Sequence, residues 1–264
     1  MTILLSTHRV EKVWGREHLP APFTNDSGNR VGEIWFDPPE AMPDLLVKYL
    51  FTSEKLSVQV HPDDAQAPDG MRGKEECWFI LDAEPGAKLA IGLQETLAQD
   101  ELRAAALDGS IEDMLIWHEV AAGDFFYLPA GTIHAIGPGI SLIEVQQNTD
   151  ITYRLYDYGR PRELHLDDAL AVAKRESYAK RERDIIPPDG ERTLHEGPHF
   201  RLDRIDGAPS AEVAKRYAGR LLLIPVEGGY TVSAEPVAAG SCALVEDIAD
   251  IACTSGKALI TQPT

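Results

Sequence analysis

The chain has 264 residues with 25 basic and 43 acidic side chains, a net charge of −18, and 44% hydrophobic residues. That composition describes a packed globular protein of one large β domain or two smaller ones, and its charge repels nucleic acid and anionic membranes. Cys77, Cys242 and Cys253 form neither a disulfide framework nor a C-x-x-C thiolate site, the N-terminal apolar run is too short for a secretory signal, and no segment has the length of a membrane span, so a cytoplasmic protein is expected.

Along residues 1–93, short β-rich runs (EIWF, LLVKYLF, KLSVQV, ECWFILD, KLAIGL) alternate with Pro and Gly. Residues 94–116 change character: Leu97, Leu102, Ala105 and Ala106 stand near helical spacing, which predicts a helical insertion. Strands resume with WHEVAA, DFFYLPAG, TIHAIG, ISLIEVQQ and ITYRLYD. The stretch LHLDDALAVAKRESYAK predicts a second helix, with Asp167 and Asp168 in its first turn and basic residues toward its end, as the helix dipole favours. RERDIIPPDGERT, carrying Pro187-Pro188 and Asp189-Gly190, reads as a linker. From about His195 the runs HFRLDRI, RLLLIPVEG and YTVSA offer further strands with few polar clusters. The expected organisation is a metal-bearing β-barrel over 1–160, a helix and linker over 161–190, and a smaller β domain over 191–264.

Four runs carry candidate chemistry. In Ser57-Val58-Gln59-Val60-His61 a strand puts Gln59 and His61 on one face and Val58 and Val60 on the other; the plain alternative is a polar face at a barrel mouth. In Gly73-Lys74-Glu75-Glu76-Cys77-Trp78, Glu76 and Trp78 share a face and Lys74 shares their direction, so the carboxylate and ammonium suit a ligand and a proton carrier, or else a surface charge pair. Pro129 and Gly131 make a tight corner that delivers His134 at the start of the next strand. Gln59, His61, Glu76 and His134 together form a mixed N/O set that suits Zn²⁺ and also fits Fe²⁺, Mn²⁺ or Ni²⁺; without thiolates, it favours a catalytic site over a closed structural one. The fourth run has Glu144 and Gln146 on one face, followed by Arg154 and Arg160, whose guanidinium forks can bind phosphate oxygens or simply pair with Asp157 or Glu163. His195 and His199 have the i, i+4 spacing of a helical metal pair, but Gly197-Pro198 between them forbids a regular helix, so both are expected to be structural.

In this order the runs VWG (13–15), LLVKYL (45–50), KLSVQVHPDD (55–64), GKEECWFI (73–80), GDFFYLPAGTIHAIG (123–137) and the stretch 143–160 resemble the class I mannose-6-phosphate isomerases in their compact form. The resemblance covers roughly residues 5–170 and is mainly architectural beyond. It implies an all-β cupin fold, a jelly-roll barrel with a small helical insertion and a degenerate second cupin. It also implies one divalent ion, usually zinc, and interconversion of mannose 6-phosphate and fructose 6-phosphate. Gln59, His61, Glu76 and His134 match the family's metal ligands; Lys74, Glu144 and Arg154 match positions around the substrate; Ser57 and Arg160 match its phosphate side. Lys74 and Glu144 are the candidates for moving protons between C1 and C2. The chain is short for that family, and the extra acid Glu75 between Lys74 and Glu76 makes the ligand assignment depend on strand register. The partner expected is a phosphorylated hexose, with no nucleic acid or membrane and a monomeric or homodimeric state. Two rival readings share the ligand set: a metal-dependent cupin dioxygenase, and a non-catalytic sugar-phosphate-binding cupin.

Overall fold

The computed structural model describes residues 3–177, 187 and 189–264, and the backbone alone of 183–185. Among the described residues the strands form three antiparallel sheets. A central seven-stranded sheet runs in the order Arg183–Ile185, Asp124–Leu128, Glu76–Ala83, Ile140–Gln147, Leu45–Phe51, Val31–Phe36, Thr7–Arg16. A five-stranded sheet faces it, in the order Tyr153–Tyr156, Val58–Val60, His134–Ile136, Lys88–Leu93, Leu115–Glu119. The third sheet is C-terminal, with Leu221–Val232 and Ile251–Pro263 as its long middle strands. Strand Ile3–Leu4 joins this third sheet, pairing with Leu244 and Ala243.

Both faces of the central sheet are covered, and strand alternation decides which residue serves which face. Trp78, Ile80, Phe126, Leu128 and Leu142 point inward and meet Leu89, Ile91 and Ile136 of the five-stranded sheet. Cys77, Phe79, Phe125, Ile143 and Val145 point outward and pack on Phe200, Leu202, Leu222, Ile224, Leu244 and Leu259 of the C-terminal sheet. Each large side chain so buried contributes about 1.5–3 kcal/mol. The far side of the C-terminal sheet closes over its own apolar core of Ile205, Leu223, Tyr230, Val237 and Ile260.

The all-β barrel architecture and the helical insertion are as expected. Helices Gln99–Asp108 and Leu166–Val172 pack on the outer face of the five-stranded sheet, against Val58, Val60, Ala135 and Leu155. The first is opened by Glu101, whose Oε2 accepts from the Ala98 N–H at 2.7 Å, and is stopped by Gly109 at φ 88°. The second is shorter than its sequence period suggests. It ends at Val172 because the Lys174 N–H is drawn to the Gly131 carbonyl at 2.8 Å, away from a helical partner; Tyr178, Ala179 and Lys180 of that run lie outside the described residues. Part of the expected linker is a strand: 183–185 pairs with 124–126, while residues 181, 182, 186 and 188 lie outside the described residues. The charged run Thr7–Arg16, without a clean apolar alternation, forms the edge of the central sheet.

Candidate metal centre

Backbone register explains why distant runs meet. In the five-stranded sheet Arg154 pairs with Gln59 and Gln59 with His134, so the three form one cross-strand row. In the central sheet Trp35 pairs with Lys48, Lys48 with Glu144, and Glu144 with Trp78, with Gln146 and Glu76 paired alongside. These rows face each other across the barrel. His61 follows its strand directly, and its carbonyl accepts from the Gly131 N–H at 2.8 Å, tying it to the Pro129–Gly131 corner. Gly131 sits at φ 84°, and a Cβ there would meet the Val172 carbonyl at 2.9 Å, so the corner that aims His134 needs glycine.

His61, Glu76 and His134 are buried and offer ligand atoms that all lie within 4.8 Å of one another. His61 Nδ1 is 2.8 Å from the Ile151 carbonyl and His134 Nδ1 is 2.9 Å from the Thr132 carbonyl. A carbonyl only accepts, so each Nδ1 carries the proton and each Nε2 presents a lone pair to the centre. Burial holds both imidazoles neutral: it pushes His61 well below the usual histidine range, with Lys74 and His134 adding to the effect, and lowers His134 to about 4 against the opposing bond to Thr132. Glu76 Oε1 lies 3.4 Å from His134 Nε2, and Oε2 lies 3.7 Å from His61 Nε2 and 2.8 Å from Lys74 Nζ. Oε1 has no hydrogen-bond donor, and Oε2 has the Lys74 ammonium alone beside it. A buried carboxylate left with one oxygen free of donors, and two neutral imidazole lone pairs beside it, fit a divalent ion. Gln59 stands next to the group, with its amide nitrogen 3.2 Å from His134 Nε2 and its oxygen 3.2 Å from Ser57 Oγ. Turning the amide over would present its oxygen instead.

Above the ligands opens a cleft of about 390 Å³. Ser57, Gln59, Lys74, Glu144 and Arg154 line it together with Lys12, Trp14, Glu33, Trp35, Lys48 and Arg162. Five basic residues line it (Lys12, Lys48, Lys74, Arg154 and Arg162) against three acidic ones (Glu33, Glu144 and Asp150), which reverses locally the charge of an acidic chain. Glu144 Oε1 accepts from Lys48 Nζ at 3.1 Å, Oε2 accepts from Trp78 Nε1 at 3.0 Å, and Lys74 Nζ is 3.8 Å from Oε1. Burial would raise Glu144, but Lys74 and Lys48 outweigh it and hold the carboxyl near 2. Burial would lower Lys74, but Glu144 and Glu76 outweigh it and hold its ammonium above the usual lysine range. Burial pushes Glu76 above the usual carboxylate range, against Lys74 and reinforced by Glu144.

Sequence reasoning passed over Lys48 and Arg162. Lys48 Nζ also reaches Gln146 Oε1 at 2.6 Å and sits 4.3 Å above the Trp35 ring; a lysine inside the otherwise apolar run LLVKYLF is the signal that points to it. Arg162 and Arg160 both grip the buried Asp157, at 2.6 Å and 2.7 Å. Arg162 lines the cleft, whereas Arg160 is turned away to Asp157 and to the Lys55 carbonyl at 2.7 Å. His195 and His199 stand outside the cleft, as expected of structural residues. His195 stacks on Tyr127 at 4.1 Å between centroids, and His199 Nδ1 lies 3.7 Å from Asp64. Among the described residues no helix is long and apolar enough to cross a membrane.

No protein-family model matches the chain. In sequence it is similar to a mannose-6-phosphate isomerase of Streptococcus mutans, with 45% identity over 136 residues that cover 48% of this chain and 43% of the relative. A mannose-6-phosphate isomerase of Bacillus subtilis is 39% identical over 210 residues, covering 73% of this chain and 65% of the relative. The chain thus spans less than two thirds of the length of the curated relatives it matches. Its fold is shared by the crystal structure of the Bacillus subtilis mannose 6-phosphate isomerase, with a TM-score of 0.80, 24% identity and 99% of each chain covered. A mannose 6-phosphate isomerase structure described as zinc-bound matches with a TM-score of 0.73 at 14% identity, covering 100% of this chain and 99% of that one.

Proposed function

We propose that this relative of the mannose-6-phosphate isomerases is itself a divalent-metal-dependent aldose–ketose isomerase, interconverting mannose 6-phosphate and fructose 6-phosphate. The observation that carries the reading is the buried convergence of His61, Glu76 and His134 beneath a cleft in which Lys74 meets Glu144. A phosphorylated hexose suits the basic excess of that cleft in a chain of net charge −18. The three free cysteines suit a reducing cytoplasm.

His61, Glu76 and His134 would hold the ion, with Gln59 as a fourth donor. Zinc accords with two imidazoles and a carboxylate, and with the zinc-bound neighbour. Bound there, the ion supplies Lewis acidity toward the sugar's carbonyl and hydroxyl oxygens.

The rest of the chemistry belongs to the chain's own residues. Isomerisation moves a proton between C1 and C2 through an enediol. Glu144, its two oxygens fixed by Lys48 and Trp78, and Lys74 both face the cleft, and between them they carry the proton from one carbon to the other. Lys74, between Glu76 and Glu144, rests as an ammonium and also donates to the oxygen on which negative charge develops. Arg154 and Arg162, with Ser57, anchor the phosphate, and Arg160 supports them by bracing Asp157.

The test is turnover of mannose 6-phosphate to fructose 6-phosphate before chelation, after it, and after zinc is restored. Zinc-restored turnover is expected. Tight binding of the sugar phosphate without turnover under any divalent ion would favour a binding cupin instead, and metal-dependent oxygen consumption would favour a dioxygenase.

A further inference from the structure

Two glutamates stand side by side at the start of the Glu76–Ala83 strand, and a slip of one residue would exchange them. Glu76 faces His61 and His134, whereas Glu75 faces the opposite way, into the junction between the central and C-terminal sheets. There Tyr127 Oη donates to Glu75 Oε2 at 2.7 Å, and the Glu75 N–H donates to Gln147 Oε1 at 2.9 Å. Gln147 in turn donates to Asp64 Oδ1 at 3.1 Å, which also accepts from the Gly73 N–H at 2.7 Å. The backbone passes so close here that a Cβ on Gly73 would meet Asp63 C and Asp64 N at 2.4 Å. The Tyr127 ring is held from the C-terminal sheet by His195, which also lies against Phe200 at 5.0 Å. From the turn between strands 192–196 and 200–206 of that sheet, His199 reaches to 4.0 Å from Glu75 Oε1.

We propose that Glu75 and Tyr127, backed by His195, are positioning residues for the metal centre. They pin the register that turns Glu76 toward the two histidines and set the loop that carries Lys74. The C-terminal sheet is then part of what builds the centre, although none of its residues lines the cleft. The inference rests on the metal-dependent reading above.

Zinc affinity, measured by competition with a chelating dye, and the denaturant midpoint of the metal-free protein test it. Both are compared for the wild-type chain, Tyr127→Phe, Glu75→Gln and the double variant. Tyr127→Phe is expected to weaken zinc binding about tenfold, as loss of a group supporting a ligand does, with little change in the metal-free midpoint. The double variant is expected to bind no more weakly than the weaker single one, because the two side chains act as a unit. Unchanged zinc affinity in Tyr127→Phe, or additive losses in the double variant, would overturn the inference. So would a fall in the metal-free midpoint at constant affinity, which marks a merely structural bond. A wild-type chain that bound no divalent ion would overturn the metal reading itself, a result distinct from all of these.

Discussion

The rings of His61 and His134 lie 4.9 Å apart between centroids and are tilted by 45°, which brings both Nε2 atoms to Glu76. Each ring is set by one carbonyl on its Nδ1, so the lone pairs are aimed before any ion arrives.

His61→Ala and His134→Ala are therefore expected to abolish stoichiometric metal binding and turnover together. Metal analysis of the purified variants checks this. Retention of both metal and rate in either variant would refute the ligand set.

Lys48 is a buried cation with two acceptors, Glu144 Oε1 and Gln146 Oε1. Lys48→Met strips both of a donor and leaves Glu144 with Trp78 and the longer contact to Lys74. A loss of about 3–5 kcal/mol of unfolding free energy is expected, the range for breaking a buried pair. Turnover should fall about a hundredfold with metal content intact. Denaturant unfolding and metal analysis of one preparation decide it.

Arg160 and Arg162 divide the work around Asp157. Arg162→Ala is expected to raise KM for the phosphorylated sugar about tenfold, because it removes a cation from the cleft wall. Arg160→Ala leaves Arg162 on Asp157 and should change KM little while lowering stability modestly. Equal KM effects would return Arg160 to the phosphate side.

His195 gives a pH dependence away from the cleft. Burial, and then the neighbouring His199, lower it to about 4 from an unfolded value near 6.5. Between those values the unfolded chain binds a proton that the folded chain refuses, so stability falls as pH drops from about 6.5 toward 4. His195→Phe keeps a ring against Tyr127 and should flatten part of that decline. Thermal unfolding of both proteins at pH 7 and pH 5 measures it; parallel declines would show that other groups carry the effect.

The residues that converge at the candidate site were largely legible in the sequence because they sit on or beside strands, where a period of two fixes direction. Gln59 with His61, Glu76 with Trp78, and Glu144 with Gln146 each follow that rule, and the Pro129–Gly131 corner marked the entry of His134. What escaped lies where the rule fails or is masked. Residues 157–162 form an irregular turn, with Tyr158 at φ 54°, so nothing in the spacing tells which arginine reaches the cleft. Lys48 was hidden by its apolar neighbours, because a strand covered on both faces reads as a continuous hydrophobic run. The strand at 183–185 was read as linker from its Pro and Gly neighbours, and its pairing with 124–126 is a tertiary outcome.

The central sheet is a wall shared by two rooms. Odd and even residues of Glu76–Ala83 and Ile140–Gln147 answer to different neighbours, one set to the candidate metal centre and the other to Leu222, Ile224 and Leu259. The part of the chain that carries the candidate site is therefore not portable. A chain cut after residue 177 would keep every residue assigned to the cleft, yet it would bare the apolar side of that wall, including Tyr49, Phe79, Phe125, Ile143 and Val145. Exposed apolar surface of that kind drives association, so such a fragment would aggregate before its chemistry could be measured.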